Sequence, residues 1–208
     1  MNEVTLRGYL SGYNKRRIFK GLVITATKLL VPTFLSHKEP IYPDGTNYKS
    51  FIKLVCYEDI AEEVFDHEIG DYVEVANGNI KTWIRRRNGY AAWNYTVDVR
   101  HVVFGSVLPE KIEHKNIVCL SGFVINDIRY DLETRKATFR MAVVFDRIGG
   151  RTDFLKCRCY NALAEQVARD LKKGSKVNFM RGELMSLIYE KGNYMKQDLT
   201  VAFDKIDY

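Results

Sequence analysis

Proline is scarce, four in 208 residues, and the polar stretches are short, so the sequence has no room for a long flexible tail. No apolar run approaches the ~20 residues that a membrane helix needs. The opening "MNEVTLRGYL" lacks the basic, apolar and small-residue order of a signal peptide. A cytoplasmic location with no membrane partner is therefore expected. The four cysteines, Cys56, Cys119, Cys157 and Cys159, sit within apolar runs and show no CxxC spacing, which favours small buried hydrophobes over metal ligands. His37, His67, His101 and His114 are scattered singly, without HExxH. P-loop and GxSxG motifs are lacking too, and the acids concentrate in "YEDIAEEVFDHEIGDYVE" at 57–74, read as one amphipathic helix with a solvated face. These absences argue against an enzyme and leave no expected metal or cofactor.

What is present is an ordinary globular composition, 46% hydrophobic and 28% charged, with a net charge of +6. The charge is uneven: residues 1–110 hold 14 Lys/Arg against 13 Asp/Glu, and residues 111–208 hold 18 against 13. Such an excess suits a polyanionic partner without requiring one.

The chain reads as two copies of one unit. "FIKLVCYEDIAEEV" at 51–64 lies over "FLKCRCYNALAEQV" at 154–167 without a gap. "NEVTLRGYL" matches "NIVCLSGFV", "GDYVEVANGNI" matches "GSKVNFMRGEL", and "YTVDV" matches "LTVAF", in the same order. This predicts domains at 1–108 and 112–208, joined around "SVLPEKIEHK". The first copy carries an extra Pro/Gly/Asn-bearing loop in "LLVPTFLSHKEPIYPDGTN".

Within each copy the order is strand, strand, strand, helix, strand, strand. In the second copy the helix is "ALAEQVARDLKKG", ended by its glycine, and the last two strands meet in a hairpin at "EKGN". Gly8 and Gly122 interrupt the first strands, as expected where a strand curls around a barrel. Five strands with a helix between the third and fourth are the element order of an OB-fold. The expected class is all-β, a β-barrel with one helix per unit, as two tandem OB-folds.

The third strands carry the functional signal. With a period of two, Leu155, Cys157 and Cys159 face one way while Phe154, Lys156, Arg158 and Tyr160 face the other. The first copy repeats this, with Phe51, Lys53, Val55 and Tyr57 facing out. An exposed ring forgoes about 1.5–3 kcal/mol of burial, so rings beside cations suit a ligand with flat apolar faces and negative charge. Single-stranded nucleic acid is such a ligand; rings packed under a loop or against the other barrel are the structural alternative. In "TWIRRRNGYAAWNY", Asn88-Gly89 marks a hairpin with Arg85, Arg86 and Arg87 leading into it and Trp83 and Trp93 on its arms. "NKRR" at 14–17 and "DRIGGR" at 146–151, with Arg147 and Arg151, form shorter basic loops.

In two passes over nearly its whole length the chain resembles the bacterial single-stranded DNA-binding protein (SSB) family. The resemblance rests on the N-x-V-x-L-x-G opening, the aromatic start of the third strand, the "LAE" helix and "LKKGSKVNFMRGEL". It implies DNA contacts by Phe51, Lys53 and Tyr57, by Phe154, Lys156 and Tyr160, and by the long hairpins. The family's hairpin tryptophan falls on Tyr189 in the second copy and on Arg85 in the first, where Trp83 lies two residues earlier. Family members usually continue into a disordered tail with an acidic tip that recruits replication proteins; here the sequence stops at "FDKIDY", so that route is not expected.

The expected function is sequence-independent single-stranded DNA binding in replication, recombination or repair, in the setting of a plasmid, phage or mobile element among others. By resemblance, a homodimer would bring four barrels together. The second barrel, carrying Arg158, Tyr189 and the more basic half, is expected to bind more tightly. The alternative is a protein-interaction subunit of a primosome or replisome that binds nucleic acid weakly, and an RNA-binding protein is a third reading.

Overall fold

The computed structural model describes residues 1–33, 48–87, 90–105, 115–144, 151–191 and 194–208; within these, side chains at 32–33, 48–49, 85–87, 90–93, 187–191 and 194–197 lie outside the description. The first half contains β1 (Asn2–Leu10), β2 (Lys15–Phe19), β3 (Leu22–Thr33), β4 (Tyr48–Tyr57), α1 (Glu58–Phe65), β5 (Tyr72–Arg87) and β6 (Tyr90–Phe104). The second half contains β7 (Asn116–Val124), β8 (Arg129–Asp131), β9 (Lys136–Val144), β10 (Thr152–Tyr160), α2 (Asn161–Asp170), β11 (Lys176–Lys191) and β12 (Tyr194–Asp207).

Each half closes into a five-stranded ring. β1 pairs with both β3 and β5, and β4 joins β3 antiparallel and β6 parallel; β7, β9, β10, β12 and β11 repeat the circuit. Closure removes the open edges that a flat sheet of this size would expose. Alternation supplies the cores. Leu6, Leu10, Leu29, Ile52, Leu54 and Ile80 fill the first ring, and Leu120, Phe139, Met141, Leu155, Met180 and Leu184 the second.

The first strand must bend sharply to touch two neighbours. A Cβ added at Gly8 would lie 2.0 Å from the carbonyl oxygen of Leu30, and one at Gly122 would lie 2.2 Å from that of Ala142. Only glycine permits such an approach. Buried asparagines pin the same strands: Asn2 Nδ2 donates to Ile80 O at 2.8 Å while its Oδ1 accepts from Ile80 N at 3.0 Å. Asn116 makes the equivalent pair with Leu184, both at 2.9 Å.

Both helices open on a left-handed residue, Glu58 at φ 51° and Asn161 at φ 55°, which turns the chain from strand into helix at matching positions. α1 and α2 close the barrel ends with Ala61 and Val64 and with Ala164 and Val167. α2 stops at Asp170 instead of running to Gly174, because Leu171 returns to an extended conformation and buries its side chain. α1 is only eight residues, so Asp66, Glu68 and Asp71 lie in the turn after it and Glu74 lies in β5, paired with Arg7 at 2.7 Å. The acidic stretch is therefore not one helix. The short strands β2 and β8 were not expected; "NKRR" lies largely in β2. The boundary around 108–112 falls outside the described residues.

The two rings join through β1 and β7, whose register runs Asn2↔Leu120, Val4↔Val118 and Leu6↔Asn116. Since Asn2, Val4 and Leu6 match Asn116, Val118 and Leu120, this pairing is two-fold symmetric about Val4 and Val118. A second set of contacts obeys the same symmetry. Thr82 N donates to Asp153 Oδ1 at 2.6 Å, and at the matching place Ser186 N donates to Ser50 Oγ at 3.0 Å. The start of each third strand is thus held by the other barrel's fourth strand.

Candidate nucleic-acid interface

Strand register assembles the outer face of the first barrel. Arg17 pairs with Ile24 and Ile24 with Tyr57; Lys15 pairs with Ala26 and Ala26 with Val55; Val55 pairs with Asp98. Lys81 lies opposite Thr96, and Trp83 opposite Asn94. Partners in register share a face. The result is a groove of about 490 Å³ with Ile24, Ala26 and Val55 on its floor and Lys15, Arg17, Lys53, Tyr57, Lys81, Trp83, Asp98 and Arg151 around it. A second cavity of about 230 Å³ shares Lys53, Trp83 and Thr96 with it and continues to Phe51, Asn94, Tyr95 and Leu199.

The rings are open to solvent where a stacking surface would need them: Phe51 is 36% and Trp83 38% exposed. The Lys53 ammonium stands 6.0 Å from the Trp83 ring centroid. Deeper in the groove Lys81 lies 5.2 Å over the Tyr57 ring and forms an ion pair with Asp98 Oδ2. Tyr57 OH donates to the same oxygen at 3.2 Å. Burial, then the Asp98 charge, raises the Tyr57 pKa. Burial opposes the charge on Lys81, yet its hydrogen bond and attraction to Asp98 leave its pKa above the usual lysine value. Lys81 is therefore a fixed cation at the groove wall.

The second barrel's face differs. Phe154, Lys156 and Tyr160 are half-buried, and Lys156 Nζ pairs with Asp198 at 2.6 Å. Arg158 does not project into solvent as the alternation implied. It is only 9% exposed, and its Nη2 donates to Thr200 Oγ1 at 2.9 Å. That partner lies 42 residues away on β12, so no local pattern could show it. At the positions matching Lys81 and Asp98 this barrel has Met185 and Ala202.

The structure thus brings Phe51, Lys53, Tyr57 and Trp83 of the first barrel together with Arg151 of the second, while Phe154, Lys156, Arg158 and Tyr160 lie on the second barrel's own third strand. Arg85, Arg86 and Arg87 fall in β5 opposite Ala92, Ala91 and Tyr90, and Tyr189 falls in β11 opposite Lys196. The side chains of these four residues and of Trp93 lie outside the described residues, as does Arg147. Sequence reasoning missed Lys81 and Asp98, which carry no motif and meet only across the β5–β6 pairing. It underrated Lys15 and Arg17, although period two along "KRRIF" puts Lys15, Arg17 and Phe19 on one face. Arg16 between them also borders the groove, and pairs with Glu62 of α1. Among the described residues no group of three His, Cys, Asp or Glu side chains could hold a metal ion. No described helix is long and apolar enough to cross a membrane.

Two closed rings of this strand order, fused side by side, also occur in a crystal structure of the wild-type single-stranded DNA-binding protein from Thermus aquaticus. The likeness covers 100% of this chain and 92% of that one, with a TM-score of 0.74 and 20% sequence identity. The two share one fold. A deletion mutant of the same Thermus aquaticus protein matches with a TM-score of 0.73 and 20% identity, over 100% of this chain and 93% of the other. No protein-family model matches the sequence, and no curated protein matches it. The tandem OB-fold is therefore established by structure, at an identity where sequence comparison finds nothing.

Proposed function

We propose that the protein binds single-stranded DNA without regard to base sequence, and catalyses nothing. The observation that carries this is the groove of about 490 Å³ on the first barrel, where the Tyr57 and Trp83 rings stand among Lys15, Arg17, Lys53, Lys81 and Arg151. Bases stack on exposed rings for about 1–3 kcal/mol each, and the cations neutralise phosphates. The fold shared with the Thermus aquaticus protein supports the reading. Coating exposed strands during replication, recombination or repair, on a chromosome or a mobile element, is the role such binding serves. The chain would act in the cytoplasm as a homodimer of four barrels.

Titration with fluorescent oligo-dT and oligo-rU over a range of salt tests this. If four to six phosphates are engaged, log affinity should fall against log salt with a slope of roughly −3 to −4. Affinity indifferent to salt, or a marked preference for duplex, rejects the proposal. Tight binding of rU with weak binding of dT would reassign the ligand to RNA.

A further inference from the structure

The barrels meet on the grooved side as well as along β1 and β7. Arg151, which precedes β10 of the second barrel, donates from Nη2 to the carbonyl of Thr82 in the first barrel's β5. Its Nε stands 3.6 Å from Asp153 Oδ1, and half of its side chain stays exposed. The guanidinium is thereby fixed on one flank beside Trp83 and lines the larger cavity. Leu199 of β12 lines the smaller one. Each cavity on the first barrel thus takes part of its wall from the second.

We infer that the first barrel's strand-binding track is completed by the second barrel, with Arg151 supplying a phosphate contact beside Trp83. This rests on the single-stranded DNA reading above. The five donors of a guanidinium let it hold Thr82 and Asp153 and still present N–H groups to an anion. The delivery runs one way. The position matching Arg151 in the first copy holds Tyr48, and that matching Asp153 holds Ser50, so the same arginine is not supplied at the matching place in return. Fixing the arginine before the ligand arrives avoids ordering a long side chain on binding.

Both tryptophans, Trp83 and Trp93, belong to the first barrel's β5 and β6, so quenching of tryptophan emission reports occupation of that barrel. The experiment titrates the full chain with oligo-dT of about 15 nucleotides, within the span of one OB-fold, at several salt concentrations. Arg151→Ala should weaken quench-detected binding about three- to tenfold and lower the salt slope by about 0.7, the loss of one phosphate contact on a single strand. Arg151→Lys should keep the slope. Unchanged affinity in Arg151→Ala overturns the inference. So does weaker binding with an unchanged slope, since the arginine would then only brace the hairpin. If the wild-type chain binds no oligonucleotide, the functional reading falls with it; if it binds and Arg151→Ala is silent, only the shared track is lost.

Discussion

Gly8 and Gly122 have backbone carbonyls about 2 Å from where a methyl group would sit, and a carbonyl in a ladder cannot step aside as a flexible side chain can. Gly8→Ala or Gly122→Ala should therefore cost about 1–3 kcal/mol or more, read as a lower urea midpoint at an unchanged m-value. A loss below a few tenths would show that the strand bends elsewhere. The cysteines give a pH prediction. Burial pushes the Cys56 and Cys159 thiols up to about 12 from 9.0, and Cys157 is raised for the same reason. The folded state holds protons that the unfolded chain releases, so their contribution is complete below pH 9.0 and drains away as pH rises towards about 12. Thermal melts should show stability falling across that window, and an Ellman titration of the native protein near neutral pH should find only the half-buried Cys119 reactive. Prompt modification of three or four thiols would contradict the burial. Alternation along the third strands identified Cys56, Cys157 and Cys159 as core, whereas Cys119 on β7, expected to be buried too, is only half-buried; the same alternation misplaced Arg158, whose guanidinium Thr200 draws down onto the sheet.

Period-two patterns, hairpin signals and the repeat made the five strands and one helix of each unit readable. What escaped were features that one element imposes on another. β2 is a strand because β3 extends past the barrel and offers it an edge, from Lys15↔Ala26 to Phe19↔Leu22. Lys81 and Asp98 become a pair only once β5 and β6 lie antiparallel, with Lys81 opposite Thr96 and Asp98 opposite Asn79. This also changes the ranking of the barrels. The expectation that the second binds more tightly relied on Arg158, Tyr189 and the more basic half; the structure buries Arg158 against Thr200, and the side chain of Tyr189 lies outside the described residues. Phe51→Ala should therefore weaken oligo-dT binding more than Phe154→Ala; the opposite order would restore the expectation. Among structural contacts, the asparagine clamps are the most exposed to test. Asn116→Ala would leave the N–H and carbonyl of Leu184 without their side-chain partners inside the barrel, at about 1–3 kcal/mol for each group stranded. Asn116→Asp, which keeps the acceptor but turns a buried carboxylate oxygen towards the carbonyl of Leu184, should lose at least as much in a denaturant titration near neutral pH.

Duplication was visible as aligned motifs, but not the way the copies face each other. A chain of 24.2 kDa proposed to act as a homodimer should scatter light as a particle of about twice that mass, since each chain would bring two barrels to a closed two-fold assembly. A particle of chain mass at micromolar concentration would reject the dimer. The seam between the barrels has a consequence of its own. Were Val4↔Val118 and the Thr82–Asp153 contact formed between identical chains, every change at the seam would be made twice, and each residue would have to suit both sides at once. Because one polypeptide supplies both sides, a change is made once. That freedom is written into the contacts themselves: a carboxylate and an arginine meet a threonine on one side, where a serine meets a serine on the other. The halves can keep a common frame and still drift towards different work.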